Sequence, residues 1–436
     1  MNWSSLLSAQ RLGQTPSTAE GSRSAFEQDY DRIIFSHPFR RLQDKTQVHP
    51  LPEDDFVHTR LTHSLEVSSV GRSLGKRVAE TVLQRHPELA RQFSLFDFGA
   101  IVAAASLAHD LGNPPFGHAG EDALSDYFRK RPEARQDLTD EQWADLLSFE
   151  GNAQGFRILN QASYGLRLTL ATLGAFTKYP CPSHFQGRDA TRKSQKKFGF
   201  FDTERESFEA VAGALQLSSP ASGAWHRHPL AFLVEAADDI CYSIIDLEDG
   251  CNLGLISFEE TVELLAPILG EKLHRGKLGR DESLNKKLGT LRALAIGELI
   301  EACTGVFLDE ERGILEGTFD GALTDRSRFR ESLREISKHS VERIYRARHV
   351  VEIEAAGHEV LPGLLEEFLA AAFAHQKGEK SRKYQNLALL LPPEVRHAVR
   401  ETSSRYVLIR SVIDFVSGMT DKHALNLYRK IKGMSL

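Results

Sequence analysis

The stretch from Leu107 to Glu121 constrains this chain more than any other. An apolar pattern with helical spacing leads into it and places His109 on the buried side of a helix. Gly112 and the Pro114-Pro115 pair then stop that helix, because neither residue type continues one. His109 and the Asp110 that follows it are therefore expected at the buried end of a helix, beside an irregular loop.

The same stretch continues into a second predicted helix, where His118 and Glu121 are three residues apart and hence neighbours on one face. Burying four such polar groups without a counter-charge would cost considerable free energy. A divalent cation would remove that cost for His109 and Asp110. It would leave His118 and Glu121 free for proton chemistry.

Composition describes an ordinary globular protein of 436 residues, 41% apolar and 26% charged. The net charge of −6 argues against a dedicated nucleic-acid binder. The polar, Ser-rich start lacks the apolar segment of a signal peptide, and no run of apolar residues is long enough to span a bilayer. The four cysteines show neither a Cys-x-x-Cys spacing nor a disulfide framework. We therefore expect a cytoplasmic protein with reduced thiols and no membrane contact.

A third candidate ligand, His63, lies on the apolar side of a helix predicted over Leu61–Val82. A lone buried histidine is usually an ordinary core residue. Here Arg60 lies one helical turn before His63, and the His109-Asp110 pair follows on the next buried helix. This context favours a metal ligand.

The fourth candidate, Asp238, follows an apolar run on a helix that Pro229 begins. Asp238, Tyr242 and Asp246 recur every four residues and so share one face. Two carboxylates there could form an exposed acidic edge, but Val234 lies one turn earlier on that face. This favours burial and a compensating cation.

Together, His63, His109, Asp110 and Asp238 form a set of two imidazoles and two carboxylates from three predicted helices. Their combined charge balances a divalent ion. Mixed nitrogen and oxygen ligands suit Mn²⁺, Fe²⁺, Ni²⁺ or Zn²⁺, and Mg²⁺ at lower affinity. Such a set leaves coordination positions open for water or a phosphate oxygen, as hydrolysis requires.

Two basic segments allow two readings each. Arg40, Arg41 and Lys45 could be a solvated basic face or a grip on phosphate. The polar segment 183–206, rich in Arg and Lys, could be a lid or partner contact, or a plain surface insertion. A further basic loop, 376–385, is expected to be merely solvated.

The rest of the chain reads as helical, with few strand signals and no tandem repeat, so the predicted fold class is all-α. The helices predicted after residue 257 are Phe258–Leu269, Leu284–Val306, Leu333–Glu352, Val360–His375, Pro393–Val416 and His423–Ile431.

Several of these motifs together resemble the HD-domain deoxynucleoside triphosphate triphosphohydrolases of the dGTPase type. The stretches that carry the resemblance are Asp29–Ile33, Phe39–Val48, Thr59–Val67, His109–His118, Glu150–Gln154, Glu235–Ile240 and Ser417–Asp421. They extend over almost the whole chain.

The resemblance implies an all-α protein with an HD-type helical core and additional C-terminal helices. It would cleave a dNTP to a deoxynucleoside and intact triphosphate, with Mn²⁺ or Mg²⁺ as the expected metal. We expect a flexible arm over residues 1–24, a metal-dependent phosphohydrolase core over 25–275 and a helical region over 276–436. The expected partners are the dNTP substrate, other copies of the chain (a hexamer by resemblance) and a dNTP or single-stranded DNA effector.

Carried over residue by residue, the resemblance assigns roles to fourteen positions. The metal ligands are His63, His109, Asp110 and Asp238, the last preferred to Asp239 because it keeps Tyr242 and Asp246 at the family's offsets. The catalytic pair is His118 and Glu121. The substrate contacts are Arg60, Lys178 and Tyr179 for phosphate, Gln47, Tyr242 and Asp246 for the deoxyribose, and Val48 and Asn152.

Two rival hypotheses come from other classes. The first is an HD-domain phosphodiesterase acting on other nucleotides, which would not release intact triphosphate. The second is a nucleotide or single-stranded DNA sensor without turnover. The complete ligand set and His118 argue against the sensor, whereas the basic segment Arg188–Lys197 keeps DNA as an effector.

Overall fold

A computed structural model describes residues 1–13, 23–47, 58–220, 223–273 and 282–434. Over these ranges the secondary structure consists of helices and three isolated β-bridges, which confirms the predicted all-α class. The α-helices α1 to α21 are, in chain order, Trp3–Leu6, Ala25–Ile34, His37–Arg41, Arg60–Arg85, Leu95–Ala108, Gly117–Arg129, Asp140–Leu147, Gly151–Asn160, Leu170–Phe176, Arg205–Ala214, Pro229–Asn252, Phe258–Leu269, Leu284–Asp309, Glu311–Glu316, Leu323–Arg326, Arg330–Ser340, Arg348–Gln376, Arg382–Leu390, Pro393–Glu401, Arg405–Ser417 and Asp421–Ile431.

The centre of the fold is the pair α4 and α5, with α11 packed across it. Helix α5 is buried along almost its whole length, from Phe98 to Ala108. Gly75 on α4 allows the close approach, because a Cβ atom there would lie 2.8 Å from the Phe98 carbonyl oxygen. This packing fixes the first turn of α4 relative to the last turn of α5, where the candidate ligands lie.

The buried apolar residues form two main clusters. The first surrounds α4, α5 and α11 and also takes in side chains of α13 and α16, such as Leu299 and Ile336. The second joins α6 and α7 to the C-terminal helices, with Phe128, Phe368 and Ile413 among its members. The division expected near residue 275 falls in 274–281, outside the described residues, and stays a prediction.

The first residues of the chain are packed, although the sequence predicts a flexible arm over residues 1–24. Trp3 is 2% exposed, and its indole Nε1 donates to Glu311 Oε1 at 2.9 Å. The terminal amine donates to the Leu315 carbonyl oxygen at 2.7 Å. Apolar side chains at positions 3, 6 and 7 therefore outweigh the polar composition of this segment. Residues 14–22 lie outside the described ranges.

Two helices predicted as continuous are interrupted. The helix predicted over Leu333–Glu352 is α16 and α17, separated by a π-helical turn over Val341–Tyr345 and extended backbone at Ala347. The helix predicted over Pro393–Val416 is α19 and α20, and the Ser404 hydroxyl accepts from the Val407 backbone N–H at the start of α20. Within the described ranges, no helix combines the length and apolarity needed to cross a bilayer.

Candidate active site

Four of the sequence-predicted side chains meet between α4, α5 and α11. His63 Nε2 lies 3.2 Å from Asp238 Oδ1, and His109 Nε2 lies 3.5 Å from the same oxygen and 3.5 Å from Asp110 Oδ1. The donor atoms of His63, His109 and Asp110 all lie within 4.8 Å of one another. We call these four residues the ligand cluster.

Local structure orients each member of the cluster. His63 is in the first turn of α4 and is 1% exposed. His109 caps the end of α5, and its Nδ1 donates to the Ser106 carbonyl oxygen at 2.7 Å, since a carbonyl oxygen only accepts. That bond fixes the ring and directs Nε2 toward the carboxylates, as for ligating histidines.

The charges of the cluster fit a cation. Burial lowers the pKa of His109, but Asp110 and Asp238 outweigh it and raise that pKa to about 9. Burial raises the pKa of Asp110, but His109 and Arg60 outweigh it and lower that pKa to about 2. Two ionised carboxylates thus hold a positive charge between them, and the imidazole and carboxylate donors suit a divalent transition metal.

The catalytic pair predicted from the sequence lies in the first turns of α6. His118 Nδ1 is 2.8 Å from Glu121 Oε2, and Glu121 Oε1 accepts from the Gly151 backbone N–H at 2.7 Å. Glu121 is 8% exposed, whereas the His118 side chain is 83% exposed. The buried carboxylate therefore fixes one ring nitrogen of a histidine that is otherwise open to the cavity.

An unusual backbone turn places this pair. Phe116, just before α6, and Gly117, its first residue, both have positive φ, 64° and 58°. Asp421 of α21 accepts from the Phe116 backbone N–H at 3.0 Å and from the Thr46 N–H at 2.9 Å. A C-terminal residue thus fixes the turn that carries His118.

A cavity of about 490 Å³ holds the ligand cluster and the catalytic pair together. Of the predicted substrate contacts, Gln47, Arg60, Asn152, Lys178, Tyr179 and Tyr242 line it. We call it the main cavity. Val48 lies outside the described residues.

Asp246 is the one described substrate contact that does not line the main cavity. It is 2% exposed and accepts from the Tyr345 hydroxyl at 2.6 Å. The Tyr345 and Tyr242 rings are 5.4 Å apart between centroids. Burial raises the pKa of Asp246 to about 8. At pH 7 the Tyr345 hydroxyl therefore donates to a carboxyl group that is mostly uncharged.

Buried carboxylates hold the cavity cations Arg60 and Lys178 in place. The Arg60 guanidinium donates to Asp110 Oδ2 at 2.7 Å. Lys178 Nζ lies 3.4 Å from Glu235 Oε1, and Arg227 donates to the other Glu235 oxygen at 2.7 Å. The cavity therefore presents two cations, each paired with a buried carboxylate.

Sequence reasoning missed several lining residues. Lys197 Nζ lies 3.2 Å from Glu150 and 3.8 Å from Glu121. Glu235 and Tyr345 also line the cavity, together with Val350, Ile353 and Glu354 of α17. The basic run was the only available signal for Lys197, and no sequence pattern indicated Tyr345.

Packing decides the open readings for part of each basic segment, while Arg40 and Arg41 are exposed. Lys45 is 4% exposed and donates to the Asn113 and Ser417 carbonyl oxygens at 2.5 and 3.1 Å, so it holds backbone rather than phosphate. In segment 183–206, Phe198 and Phe201 are buried while Lys197 reaches the main cavity. This part of the segment is a wall of the site rather than a plain surface insertion.

Comparisons with known proteins show the family of this chain. Residues 60–162 match the family model of the HD domain, and residues 324–430 match that of the phosphohydrolase-associated domain. A deoxyguanosinetriphosphate triphosphohydrolase-like protein of Synechocystis is 43% identical over the full length of both chains. A protein of the same name from Pseudomonas aeruginosa is 40% identical over 100% of this chain and 99% of the relative. The deoxyguanosinetriphosphate triphosphohydrolase of Yersinia enterocolitica is 32% identical over 98% of this chain and 97% of its own. With relatives of this identity matching over their whole length, the chain belongs to the HD-domain family of deoxyguanosinetriphosphate triphosphohydrolases and triphosphohydrolase-like proteins.

Proposed function

We propose that this chain hydrolyses deoxynucleoside triphosphates to a deoxynucleoside and inorganic triphosphate, with a divalent metal ion. One observation carries the proposal: the His118–Glu121 pair opens into the same cavity as the ligand cluster and the cations Arg60, Lys178 and Lys197. The names of the relatives, deoxyguanosinetriphosphate triphosphohydrolase and triphosphohydrolase-like protein, support the same reaction.

The metal would be held by His63, His109, Asp110 and Asp238, whose donor types fit it. Mn²⁺ or Mg²⁺ is our first expectation, with Fe²⁺, Ni²⁺ and Zn²⁺ as alternatives for this donor set. When bound, such an ion supplies Lewis-acid polarisation of a phosphoryl oxygen and neutralises charge.

The cations of the cavity would bind the triphosphate. Arg60 offers a planar fork, of which one nitrogen already holds Asp110, while Lys178 and Lys197 act as point charges. Tyr242 and Gln47 would contact the deoxyribose, with Asp246 behind Tyr345 at one side of the sugar site. A ring at Tyr242 would fill the space that a ribose 2′-hydroxyl needs.

Proton transfer would fall to His118. The reaction forms a bond between a water oxygen and the α-phosphorus and breaks the bond from that phosphorus to O5′, so O5′ must gain a proton. His118 Nδ1 is held by Glu121, which leaves Nε2 to donate to O5′ as the general acid.

Product analysis tests the proposal. The chain is incubated with each dNTP and Mn²⁺, and the products are separated by chromatography. We expect deoxynucleoside and inorganic triphosphate in equal amounts. Deoxynucleoside monophosphate with pyrophosphate would instead support the phosphodiesterase hypothesis, and no hydrolysis with intact binding would support the sensor.

Metal content provides a second test. Asp110→Ala should abolish both bound metal and turnover, because it removes one of the two carboxylates of the cluster. Asp126→Ala is the matched control: it removes an exposed carboxylate of α6 that pairs with Arg129 and does not line the cavity. Full metal occupancy in Asp110→Ala would contradict the ligand assignment.

Three further expectations concern assembly and regulation. We propose a cytoplasmic homo-oligomer, a hexamer by resemblance, with a dNTP or single-stranded DNA as effector. Light scattering of the purified chain and turnover measured with and without a second dNTP or an oligonucleotide would test them.

A further inference from the structure

The junction between α20 and α21, Ser417–Asp421, is one of the segments that carry the family resemblance, but the proposed function gives it no role. None of its residues, all of which the structure describes, lines the main cavity. Its last residue, Asp421, is 1% exposed and makes hydrogen bonds to two segments that do line the cavity. The junction therefore contacts the site through the backbone rather than through a side chain in the cavity.

Each oxygen of the Asp421 carboxylate holds a different segment. Oδ1 accepts from the Phe116 backbone N–H at 3.0 Å, and His118 follows two residues later. Oδ2 accepts from the Thr46 backbone N–H at 2.9 Å and from the Thr46 hydroxyl, and Gln47 is the next residue. His118 and Gln47 both line the main cavity. One carboxylate thus joins the backbone that carries the predicted general acid to the backbone that carries a predicted deoxyribose contact.

The turn before α6 needs a partner of this kind. Phe116 has a φ of 64°, a left-handed conformation that residues other than glycine rarely adopt. Such a conformation costs free energy and persists only where the surrounding structure imposes it. The Phe116 side chain is held as well, because it packs against Gly357 of α17, where a Cβ atom would lie 3.1 Å from it. The C-terminal helices therefore hold both the backbone and the side chain of Phe116.

A second contact connects the junction to the ligand cluster. The buried Lys45 donates to the Ser417 carbonyl oxygen at 3.1 Å and to the Asn113 carbonyl oxygen at 2.5 Å. Asn113 Nδ2 in turn donates to Oδ1 of the ligand Asp110 at 2.5 Å. Hydrogen-bond partners of metal ligands fix the orientation of those ligands. The junction is therefore connected to a candidate ligand as well as to the general acid and the sugar contact.

We propose that Asp421 is a positioning residue for the hydrolysis. It holds the Phe116 turn and Thr46 together, and so sets where His118 lies relative to the ligand cluster and to a substrate whose sugar contacts Gln47. This inference rests on the proposed function. It gives the α20–α21 junction a part in catalysis, although none of its residues lines the main cavity.

Steady-state kinetics of Asp421→Asn tests this role. An asparagine side chain has one acceptor oxygen and an NH₂ group, so it can hold only one of the two segments. We expect kcat to fall by about 10- to 100-fold, the effect of displacing a catalytic group by up to roughly 1 Å. KM should rise by less than about tenfold, the equivalent of one hydrogen bond, since Gln47 is one contact among several. The bound metal should be unchanged, because the ligand cluster is intact.

The matched control is Asp29→Asn, which changes a similar buried contact away from the site. Asp29 is 0% exposed, and its Oδ2 accepts from the Thr169 backbone N–H at 2.9 Å and from the Thr169 hydroxyl at 2.6 Å. Neither Asp29 nor Thr169 lines the main cavity. This variant should lose stability but keep its kcat. A kcat of Asp421→Asn near the wild-type value, or an equal fall in Asp29→Asn, would overturn the proposal.

Thr46→Val is a milder variant that decides the same question if Asp421→Asn does not fold. It removes the hydroxyl that donates to Asp421 and keeps the two backbone N–H donors. The segment that carries Gln47 is then held less firmly, whereas the Phe116 turn keeps its bond. We expect KM to rise by about 2- to 10-fold, the equivalent of one hydrogen bond, with kcat nearly unchanged. Wild-type values of both constants in this variant would contradict the proposal.

Amide hydrogen exchange, measured by mass spectrometry, tests the positioning without turnover. The peptide that covers residues 114–120 should exchange faster in Asp421→Asn than in wild type, because the Phe116 N–H loses its carboxylate acceptor. The same peptide should be unchanged in Asp29→Asn. An unchanged exchange rate in Asp421→Asn would overturn the proposal. If the wild-type chain hydrolysed no dNTP, the proposed function would fail, and the exchange rates would still decide whether Asp421 holds the turn.

Discussion

His118 is the residue at which chemistry and binding can be separated. Its side chain is exposed to the main cavity and is held only through Nδ1 by Glu121, outside the ligand cluster. We expect His118→Ala to keep metal and dNTP affinity nearly unchanged. Its turnover should fall by about 10²- to 10⁴-fold, the usual contribution of a positioned proton donor. Steady-state kinetics measures turnover, and metal analysis of the same preparation measures the bound metal.

The control for this variant is His184→Ala, which removes a histidine that does not line the main cavity. It should hydrolyse dNTP at the normal rate. A His118→Ala variant that binds normally and turns over near the wild-type rate would exclude His118 as the general acid.

The contact between His118 and Glu121 predicts how turnover depends on pH. The hydrogen bond that His118 Nδ1 donates to the Glu121 carboxylate raises the pKa of His118 above its ordinary value of about 6.5. A general acid must be protonated, so turnover should be full below the raised pKa and fall as the pH rises through it. Glu121→Gln weakens the preference for the protonated ring and should move this alkaline limb to lower pH.

A pH–rate profile of both proteins, at saturating substrate, makes the comparison. Gln retains an oxygen that can accept from the Gly151 N–H, so the local fold is kept. An alkaline limb at the same pH in both proteins would mean that another group sets it.

Which site residues could be predicted from the sequence depended on how far apart they lie along the chain. His109, Asp110, His118 and Glu121 are all within one short stretch, so helix periodicity and helix breakers were enough to relate them. Glu235 and Lys197 belong to the cavity through contacts with Lys178 and Glu150, which lie about fifty residues away in sequence. Neither contact leaves a periodic trace, so neither contact could be predicted from the sequence.

Among the elements, α11 carries the most specific prediction. Asp238 and Tyr242 lie one turn apart on it, which places the Tyr242 ring beside the ligand cluster, backed by Tyr345. Tyr242→Ala should therefore let ribonucleotides compete better, with the GTP-to-dGTP ratio of kcat/KM rising. An equal fall in both activities would exclude the steric role.

The helices themselves were largely predictable apart from α18, whose start lies in the predicted loop 376–385, and the two interruptions have different causes. The break between α19 and α20 carries a readable signal, since Ser404 caps α20 and follows Thr402 and Ser403. The break between α16 and α17 contains neither Gly nor Pro. It is set by tertiary packing instead, where the buried Ile344 lies against Gly250 of α11. That π-helical turn also directs Tyr345 toward Asp246, and the role of Tyr345 was therefore hidden as well.

At the scale of the whole molecule, partly buried ionic contacts join the two apolar clusters. Helix α8, which contributes Phe156 to the first cluster, meets α20 of the second through Arg157 and Asp414. Arg157 Nε and one terminal nitrogen donate to Asp414 at 2.9 and 2.8 Å. The sequence predicted the resemblance and the helices but not this connection, because the partners are more than 250 residues apart.

The last prediction concerns that connection. Asp414→Ala leaves the buried Arg410 and the partly buried Arg157 without their shared carboxylate. We expect the free energy of unfolding at pH 7 to fall by about 3 kcal/mol, near the lower end for breaking a buried ion pair, because Glu204 still pairs with Arg157. Glu352→Ala, which removes the carboxylate of an exposed ion pair on α17, should change it by no more than about 0.5 kcal/mol.

The loss of stability caused by Asp414→Ala should also depend on pH. Burial alone would raise the pKa of Asp414, but Arg157 outweighs it and lowers that pKa below its ordinary value. The carboxylate therefore stabilises the fold fully above about pH 4, the unfolded pKa, and this contribution is lost as the pH falls through the lower folded pKa. Denaturant unfolding gives the free energy of unfolding of wild type and of Asp414→Ala at each pH. The difference between the two should be constant near neutrality and become smaller in acid. If the difference in free energy became larger in acid, the folded protein would hold Asp414 in its neutral form. The two clusters would then not be joined by an ion pair.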